Sequence, residues 1–225
     1  MGKKYELTDI KIEVFGKTLF RIKALRDIKR FGVEKGDLGG YIEKEKNLGH
    51  DGNAWVYDNA WVYGNALVYG NACVCGNARV CGDAEVYGNA EVYGNACVCG
   101  YALVCGNACV YDNARVYGDA CVYGNAWVYG DAEVYGDACV CGNAWVYGDA
   151  EIIWLSKIGS RFGTTTAFRR KDGNIGIKCG CFEGSLDEFA AKVVETHGDN
   201  KYGREYKAAI ELIKIHFGEE EQTNE

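Results

Sequence analysis

A basic, hydroxyl-rich segment in the C-terminal third of the chain carries the residue types that bind phosphate. It reads KIGSRFGTTTAFRRK, from Lys157 to Lys171. Arginine donates forked, charge-assisted hydrogen bonds to phosphate oxygens, and threonine hydroxyls and glycine amides add neutral donors. Aromatic rings nearby, those of Trp154 and Phe162, could stack on a base. The predicted ligand-binding residues are therefore Arg161, Thr164, Thr165, Thr166, Arg169, Arg170 and Trp154.

Arg161 is the arginine of this segment that we expect to contribute most. It lies between Gly159 and Gly163, in a predicted turn whose backbone amides would be exposed. Arg169 and Arg170 are consecutive, so in a strand they point to opposite faces and at most one of them should reach the same ligand. The segment lacks the glycine-lysine-serine/threonine ending of a P-loop. An ordinary basic strand pair that balances an acidic partner remains the alternative.

The distribution of charge separates this segment from the rest of the chain. The formal net charge is −7 for 225 residues. Residues 53–152 include 11 acidic and 2 basic residues, whereas residues 157–178 include six basic residues and one acidic residue. An acidic protein of this kind is not expected to bind nucleic acid. Its acidic part should repel a phosphorylated compound, which would then bind near residues 157–178.

Twelve cysteines form the second group of chemically capable residues. The N-terminal sequence lacks the apolar stretch of an export signal, so reduced thiols and a bacterial cytoplasm are expected. Thiols 18 positions apart should stack, and four of them are expected to cluster where they could bind zinc: Cys105, Cys121, Cys139 and Cys141. Cysteine alternates with tyrosine in the same sequence position, however. We therefore interpret the cysteines as small apolar surface residues, and we predict neither a metal nor a cofactor.

The elements that would position these residues follow from a six-residue repeat, Asn/Asp-Ala-x-Val-Tyr/Cys-Gly. It occurs seventeen times, from Asn53 to about Ile152. Alternation along a strand directs the alanine and valine inward and the x and Tyr/Cys positions outward. Valine packs well in a buried strand, and glycine with asparagine or aspartate accepts the backbone angles of a corner. A six-residue period is typical of a solenoid.

The repeat resembles the hexapeptide repeat of left-handed parallel β-helices, in which three hexapeptides form one triangular coil. The aliphatic residue followed four positions later by a small one matches Val128 and Ala132 and their equivalents. The segment GVEKGDLGGYIEKEKNLGHDGN before the repeat, and the C-terminal part, are similar to those of phage and prophage hexapeptide-repeat proteins often labelled acyltransferases. The resemblance implies a β-helix of between five and six coils and a phage origin.

The histidines do not support the acyltransferase label. Hexapeptide acyltransferases use a histidine as general base near a loop that interrupts the coil, and β-helix carbonic anhydrases hold zinc with three histidines. This chain has His50, His197 and His216, all outside the repeat, and no insertion interrupts the repeat. We therefore expect no enzymatic activity.

The predicted fold is mainly β, a left-handed parallel β-helix with an N-terminal β cap and a small C-terminal α+β domain. Residues 1–52 would form a β-hairpin cap that covers an open strand edge, and residues 53–152 the β-helix. Residues 153–217 would form the α+β domain, with a capping box from Ser185 to Glu188, and residues 218–225 a disordered tail. No apolar run is long enough to span a membrane, so no membrane partner is predicted.

Aromatic residues occupy many outward positions of the repeat, and a large exposed aromatic patch is uncommon on a monomer. The predicted interface between copies of the chain contains Trp55, Trp127, Trp145, Tyr129 and Tyr147. The alternative is a ladder of stacked rings that only covers the strands. We expect a homo-oligomer, either a trimer or a dimer.

Together these features predict a non-catalytic binding protein of phage type. The solenoid would be a rigid scaffold and oligomerisation surface, and the basic C-terminal domain would bind a phosphorylated small molecule. A nucleotide signal sequestered from a host defence is the specific expectation. A purely structural or protein-binding module, with a host protein as partner, is the first alternative, and an acyltransferase is the second.

Overall fold

The computed structural model describes residues 2–148, 152–170 and 172–218. Three strands come first: β1 (Tyr5–Val14), β2 (Lys17–Ala24) and β3 (Leu38–Ile42). Two short 3-10 helices, Lys29–Phe31 and Glu45–Asn47, lie on either side of β3 along the chain.

The repeat forms strands of two residues, each of which pairs in parallel with a strand three units away. Paired residues are 18 positions apart, as Trp55 and Cys73 are, so three units make one coil. The seventeenth predicted unit falls mainly outside the described residues. In chain order from β4 to β19, the strands are Trp55–Val56, Trp61–Val62, Leu67–Val68, Cys73–Val74, Arg79–Val80, Glu85–Val86, Glu91–Val92, Cys97–Val98, Leu103–Val104, Cys109–Val110, Arg115–Val116, Cys121–Val122, Trp127–Val128, Glu133–Val134, Cys139–Val140 and Trp145–Val146.

This arrangement confirms the predicted β-helix. The 18-residue coils produce three parallel sheets, one for each side of the coil, and the longest run of repeat strands in one sheet has six members, β4 to β19 in steps of three. Backbone amides donate to carbonyls of the next coil throughout, as Leu103 N–H donates to Ala120 O at 2.9 Å. Because each coil supplies partners for the coil before it, the interior coils satisfy their strand backbone within the repeat.

The interior of the solenoid is filled by the invariant alanines and valines of the repeat. Each of them, from Ala54 to Val146, is 0% exposed. A fully buried valine side chain contributes about 1.5–3 kcal/mol, and alanine is small enough for the narrow part of the coil beside the corner. The outward positions stack on their equivalents in the next coil, as the rings of Tyr111 and Tyr129 do at 4.9 Å. The pattern of one small and one branched residue therefore decides which side of each strand is the core.

The corners depend on glycines with a left-handed backbone. Gly100 has φ +72°, and a Cβ added to it would lie 2.9 Å from the amide nitrogen of Gly118 in the next coil. Asp58 and Asp112 occupy the same corner position with φ 49° and 57°. The carboxylate of Asp58 accepts from Gly76 N–H at 3.1 Å, and that of Asp112 accepts from the amide of the next coil's glycine at 3.4 Å. An aspartate is thus tolerated at a corner because its side chain gains a hydrogen bond.

A ladder of asparagine side chains runs along one corner of the solenoid. Each side-chain amide donates to the amide oxygen of the asparagine 18 residues later, as Asn89 donates to Asn107 at 3.0 Å. Asn107 in turn donates to Asn125 at 3.0 Å. An interior member of the ladder has one bond on each side, whereas a terminal member has one in total. The members are Asn53, Asn71, Asn89, Asn107, Asn125 and Asn143.

The N-terminal cap extends one of the three sheets instead of leaving its edge open. Strands β1 and β2 form an antiparallel hairpin, β2 pairs with β3, and β3 pairs in parallel with β5, with Tyr41 opposite Trp61. The cap also covers the end of the solenoid core, where Tyr5 and Leu48 are buried. An unpaired edge would be a template for pairing with other chains, and the cap pairs the edge of β5 so that β1 becomes the outer strand of this sheet.

The position of Trp55 corrects one interface prediction. We expected this residue on the outward aromatic side, but it is 0% exposed. Its indole packs against the ring of Tyr5 at 6.3 Å in an edge-to-face arrangement beneath the cap, and its Nε1 has no hydrogen-bond partner among the described residues. Trp55 therefore belongs to the core under the cap, and its predicted role in an interface between copies is wrong.

The C-terminal part is an antiparallel sheet covered by two helices. The sheet contains β20 (Ile152–Ile158), β21 (Gly163–Arg169), β22 (Ile175–Cys179) and β23 (Phe182–Ser185), and the helices are α1 (Leu186–His197) and α2 (Lys201–Phe217). The capping box predicted at the start of α1 is present, with Ser185 accepting from Glu188 N–H and Glu188 accepting from Ser185 N–H. This sheet and helix pair complete the predicted fold class.

The sheet of the C-terminal part packs on the last coil of the solenoid. Ile152 and Phe168 join the solenoid core, and Cys139 N–H donates to the hydroxyl of Thr166 at 3.1 Å. Gly218 caps the end of α2, and the predicted disordered tail otherwise lies outside the described residues. Among the described residues, no helix has the length and apolar character needed to cross a membrane.

The first prediction concerns the corner glycines. Replacing Gly100 with alanine should destabilise the protein by about 1–2 kcal/mol, the usual cost of a left-handed backbone for a residue with a Cβ. Gly100→Asp should cost less, because its carboxylate can accept from Gly118 N–H as the natural corner aspartates do. Thermal melting of the two variants checks this. An aspartate variant that melts below the alanine variant would contradict it.

The second prediction concerns the asparagine ladder. Asn107→Ala removes two side-chain hydrogen bonds and Asn53→Ala removes one. At about 0.5–1.5 kcal/mol for each bond, the interior substitution should lower stability about twice as much as the terminal one. Melting temperatures measured under the same conditions provide the comparison. Equal losses would mean that the ladder does not act as a chain of independent bonds.

Candidate ligand-binding cleft

A cleft of about 470 Å³ opens in the C-terminal part, between the turns of the sheet and the two helices. The β20–β21 turn contributes Arg161, and the start of β23 contributes Phe182. The helices contribute most of the remaining wall. The side chains that carry charge or aromatic surface into it are Arg161, Phe182, Phe189, Lys192, His197 and Tyr206.

The turn that carries Arg161 is fixed to helix α2. Gly159 begins the turn with φ +73°, and the hydroxyl of Tyr206 lies where a Cβ of Gly159 would be. The amide of Gly159 donates to the carboxylate of Glu205 at 2.9 Å, and Phe162 N–H donates to Gly159 O at 3.2 Å. The turn is therefore tied to α2 at Gly159 and closed by a hydrogen bond of its own. It has no free amide at Gly159 to offer a ligand, contrary to what we expected.

Helix α1 places a lysine and a histidine on the wall of the cleft. Lys192 and His197 both line it, and Lys192 Nζ also pairs with the carboxylate of Glu195 at 2.8 Å. The imidazole of His197 stacks on the ring of Tyr206 with 5.6 Å between ring centroids. This stacking fixes the orientation of the imidazole, whereas the long lysine side chain can turn toward a ligand.

The lining of the cleft is cationic although the whole chain is acidic. One guanidinium, one ammonium and one imidazole reach it, and none of its lining residues is an aspartate or glutamate. Within the described part of the chain, the guanidinium of Arg161 makes no hydrogen bond or ion pair. Burial raises the pKa of the Tyr206 phenol, and a hydrogen bond with the Cys179 thiol raises it further. The phenol therefore stays protonated at neutral pH and can donate.

The other two arginines of the predicted site bind parts of the protein itself. Arg169 donates to the carbonyl oxygens of Gly173 and Phe217, and its guanidinium lies 4.9 Å from the Phe217 ring. Arg170 donates to Gly184 O at 2.6 Å. Neither of them lines the cleft that contains Arg161. Arg169 thus ties β21 to the end of α2, and Arg170, the residue after β21, bonds to β23; their predicted role in ligand binding stays a prediction.

The threonines and the tryptophan of the predicted site are also engaged elsewhere. Thr165 and Thr166 are buried. The hydroxyl of Thr165 donates to the Cys179 thiol, and that of Thr166 accepts from Cys139 N–H in the last coil. The hydroxyl of Thr164 lies 3.0 Å from that of Ser156. Trp154 packs edge-on against Tyr135 at the end of the solenoid, with 4.5 Å between ring centroids. Of the seven predicted ligand-binding residues, only Arg161 lines the cleft.

Sequence reasoning missed the residues of α1 and of the β22–β23 turn. Lys192 and Thr196 are four residues apart on α1, so they share one face of that helix. This spacing was visible in the sequence. Nothing in the sequence, however, showed that this face would lie opposite the turn containing Arg161, because that depends on how α1 packs across the sheet.

Exposed aromatic residues do occur on the last coils of the solenoid. Trp127 is 38% exposed and Tyr147 is 64% exposed. The indole of Trp127 lies 5.6 Å from that of Trp145, and the ring of Tyr129 lies 5.0 Å from that of Tyr147. These four predicted interface residues therefore form one continuous aromatic surface. Their use in an interface between copies stays a prediction.

The cysteines are free thiols, and one group of three lies close together. The predicted cluster of Cys105, Cys121, Cys139 and Cys141 does not form such a group among the described residues. Cys105 and Cys141 share one column of outward positions, but Tyr123 lies between them, and Cys141 is fully buried. The cluster that the described residues contain is Cys81, Cys97 and Cys99.

Comparison with known proteins supports the repeat architecture. Three segments of the repeat, residues 60–76, 108–124 and 114–130, match the family described as YdcK β-solenoid repeat. No curated protein matches the chain. The matched segments are a minor part of 225 residues, so they indicate a kind of repeat and no activity. The chain thus contains solenoid repeats similar to those of the YdcK repeat family.

Proposed function

We propose that the protein is a non-catalytic binding protein in which the solenoid is a rigid scaffold and the C-terminal cleft binds a small phosphorylated molecule. The observation that carries this proposal is the lining of the cleft. It brings Arg161, Lys192 and His197 together without a carboxylate, in a chain whose net charge is −7.

Charge complementarity supports an anionic ligand. Burying a phosphate requires charged donors that replace its bound water. The guanidinium of Arg161 makes no hydrogen bond within the described residues, and Lys192 can exchange its exposed pairing with Glu195 for a ligand at little cost, because such surface pairs contribute at most about 1 kcal/mol. The acidic repeat should at the same time repel an anion toward the C-terminal part.

Apolar surface in the same cleft supports a ligand with a ring as well as a phosphate. The rings of Phe182 and Phe189 lie 5.3 Å apart at an angle of 48°, and Val193 continues that wall. Aromatic side chains bind nucleobases by stacking. A cleft of about 470 Å³ also falls in the range of small-molecule sites, about 300–1,000 Å³. A nucleotide meets both requirements.

The surroundings of the histidines favour binding without catalysis. His50 Nδ1 accepts from Lys4 N–H at 3.2 Å, and its ring stacks on Tyr5 at 4.6 Å. His50 is thus a structural part of the cap. His197 is stacked on Tyr206 in the wall of the cleft. The more specific hypothesis, a phage-type protein in the bacterial cytoplasm that sequesters a nucleotide signal of host defence, forms part of this proposal and rests on the resemblance of the sequence to phage proteins.

A second candidate function is a structural or protein-binding module. The aromatic surface around Trp127 and Tyr147 supports it, because exposed aromatic residues are enriched where proteins bind one another. A second copy of the chain is the occupant that we propose for this surface, and a host protein is the alternative occupant.

The third prediction tests the cleft. A panel of nucleotides, sugar phosphates and inorganic phosphate should contain a ligand that raises the melting temperature and binds with Kd below about 100 μM. Arg161→Ala should weaken its binding by about 1.5–3 kcal/mol, the scale of a charged hydrogen bond. Isothermal titration calorimetry of the variants measures this loss.

Lys192 has a matched control for the same experiment. Lys192→Gln should weaken binding, whereas Lys214→Gln should not. Both lysines pair with a glutamate three residues away on a helix, at 2.8 and 3.1 Å, but only Lys192 lines the cleft. If no compound of the panel binds, or if Arg161→Ala binds as the native protein does, the cleft is not a phosphate site.

The fourth prediction concerns self-association. Light scattering should give a multiple of 24.7 kDa, and the double substitution Trp127→Glu with Tyr147→Ser should shift the protein toward the monomer. Tyr101→Ser is the control, because Tyr101 is as exposed as Tyr147, at 65% and 64%, but lies at a corner position outside the aromatic surface. A native mass of 24.7 kDa at micromolar concentration would exclude the interface.

A further inference from the structure

Three cysteine sulfurs come together on the outside of the solenoid. Cys97 and Cys99 stand on either side of Val98, so both thiols point outward from the same coil. Cys81 lies one coil earlier, 18 positions before Cys99. All three sulfurs lie within 4.8 Å of one another. Among the described residues, no other group of three or more His, Cys, Asp or Glu side chains is as close.

The stacking of coils explains why the three thiols meet. Cys97 is paired with Arg79 of the preceding coil, and Val98 with Val80, which brings Cys81 beside Cys99. On this side of the solenoid, the four outward positions of the two coils (79, 81, 97 and 99) therefore form a rectangle. Cysteine occupies three of its corners, and Arg79 occupies the fourth.

Positive charge is concentrated at this point of an otherwise acidic repeat. Residues 53–152 contain 11 acidic residues and only two basic ones, Arg79 and Arg115. Arg79 lies opposite Cys97 in the preceding coil; Arg115 lies opposite it in the following coil, but its guanidinium is paired with Glu133 at 3.1 Å. Nearby cations favour the thiolate form of cysteine, which is the form that binds metals. The three thiols are also only half-buried, so an ion from solvent can reach them.

The spacing of the sulfurs suits one metal ion. Metal–sulfur bonds of about 2.3 Å place three ligating sulfurs about 4 Å from one another. The sulfurs here already lie within 4.8 Å, so small rotations about the Cα–Cβ bonds would bring them to bonding distance. No movement of the backbone is needed, because the spacing between coils already brings these residues close enough.

We propose that the sulfurs of Cys81, Cys97 and Cys99 form a three-coordinate binding site for Cu(I) on the outer face of the solenoid. Thiolates select soft ions such as Cu(I) and Zn(II). Structural zinc sites are almost always completed by a fourth protein ligand, and the fourth corner here is the cationic side chain of Arg79. Three thiolates and one Cu(I) leave a charge of −2, of which Arg79 beside them offsets one unit. Each thiol that binds gives up its proton to solvent.

Another pair of cysteines provides a matched control. Cys73 and Cys75 have the same Cys-x-Cys spacing, but the coil before them has Trp55 and Tyr57 in the equivalent positions and the coil after them has Glu91 and Tyr93. That pair therefore has two thiols and no third sulfur on a neighbouring coil. A site that needs three sulfurs should form at the first group and not at the second.

The experiment is a titration of the reduced protein with Cu(I) in the absence of oxygen, against a colorimetric chelator of known Cu(I) affinity. The native protein should retain one tightly bound Cu(I), and X-ray absorption should show three sulfur neighbours. Cys81→Ser should weaken the binding by more than about 100-fold, since even outer partners of metal ligands contribute about 10- to 100-fold. The double variant Cys73→Ser with Cys75→Ser should bind as the native protein does.

A second variant separates loss of the site from loss of the fold. Cys81→Tyr introduces the residue that occupies the equivalent outward position at Tyr63 and Tyr117, so the coil should keep its melting temperature while Cu(I) binding is lost. The proposal is overturned if the Cys73/Cys75 double variant loses as much affinity as Cys81→Ser, or if Cys81→Ser keeps native affinity. Zn(II) held with a fourth oxygen ligand, and at least as tightly as Cu(I), would also overturn it.

Discussion

The hydrogen bonds between successive coils are the constraint on which the rest of the structure depends. They hold equivalent residues of the repeat about 4.8 Å apart along the axis, so any position in one coil lies directly above the same position 18 residues later. The other features of the repeat follow from this alignment. Valine and alanine fill a core of constant width, glycine is needed where backbone approaches backbone at the corners, and asparagines, tyrosines and cysteines form columns with their own kind.

The extent to which the sequence predicted the structure follows from the same alignment. The inward positions of Ala126 and Val128 and the corner at Gly130 could be predicted, because a fixed period converts residue type directly into position. Trp55 could not, because it is covered by Tyr5 of the cap, which lies 50 residues earlier and outside the repeat. Burial by a distant segment leaves no trace in the local pattern.

The candidate cleft lies outside the repeat, where sequence spacing no longer determines which residues are neighbours. In the C-terminal part, each side chain is positioned by packing between a sheet and two helices, so neighbours in space are distant in sequence. Arg161 was predicted from its own turn. Lys192 and His197 were not, and Arg169 and Arg170 were assigned to a ligand although each donates to backbone carbonyls. Composition indicated that the segment is basic, but only the tertiary packing decides which cations remain available to a ligand.

The uniformity of the repeat has a consequence for how the chain finds its register. If a stretch of repeat slid by one whole coil during folding, each buried alanine and valine and nearly every corner glycine would be replaced by an identical residue, so the core would oppose the slip only weakly. The parts that have no equivalent one coil away must oppose it: the hairpin that pairs Tyr41 with Trp61 at one end, and the contact between Thr166 and Cys139 at the other. The two ends thus fix the register of the repeat, and they determine how many coils the finished protein contains.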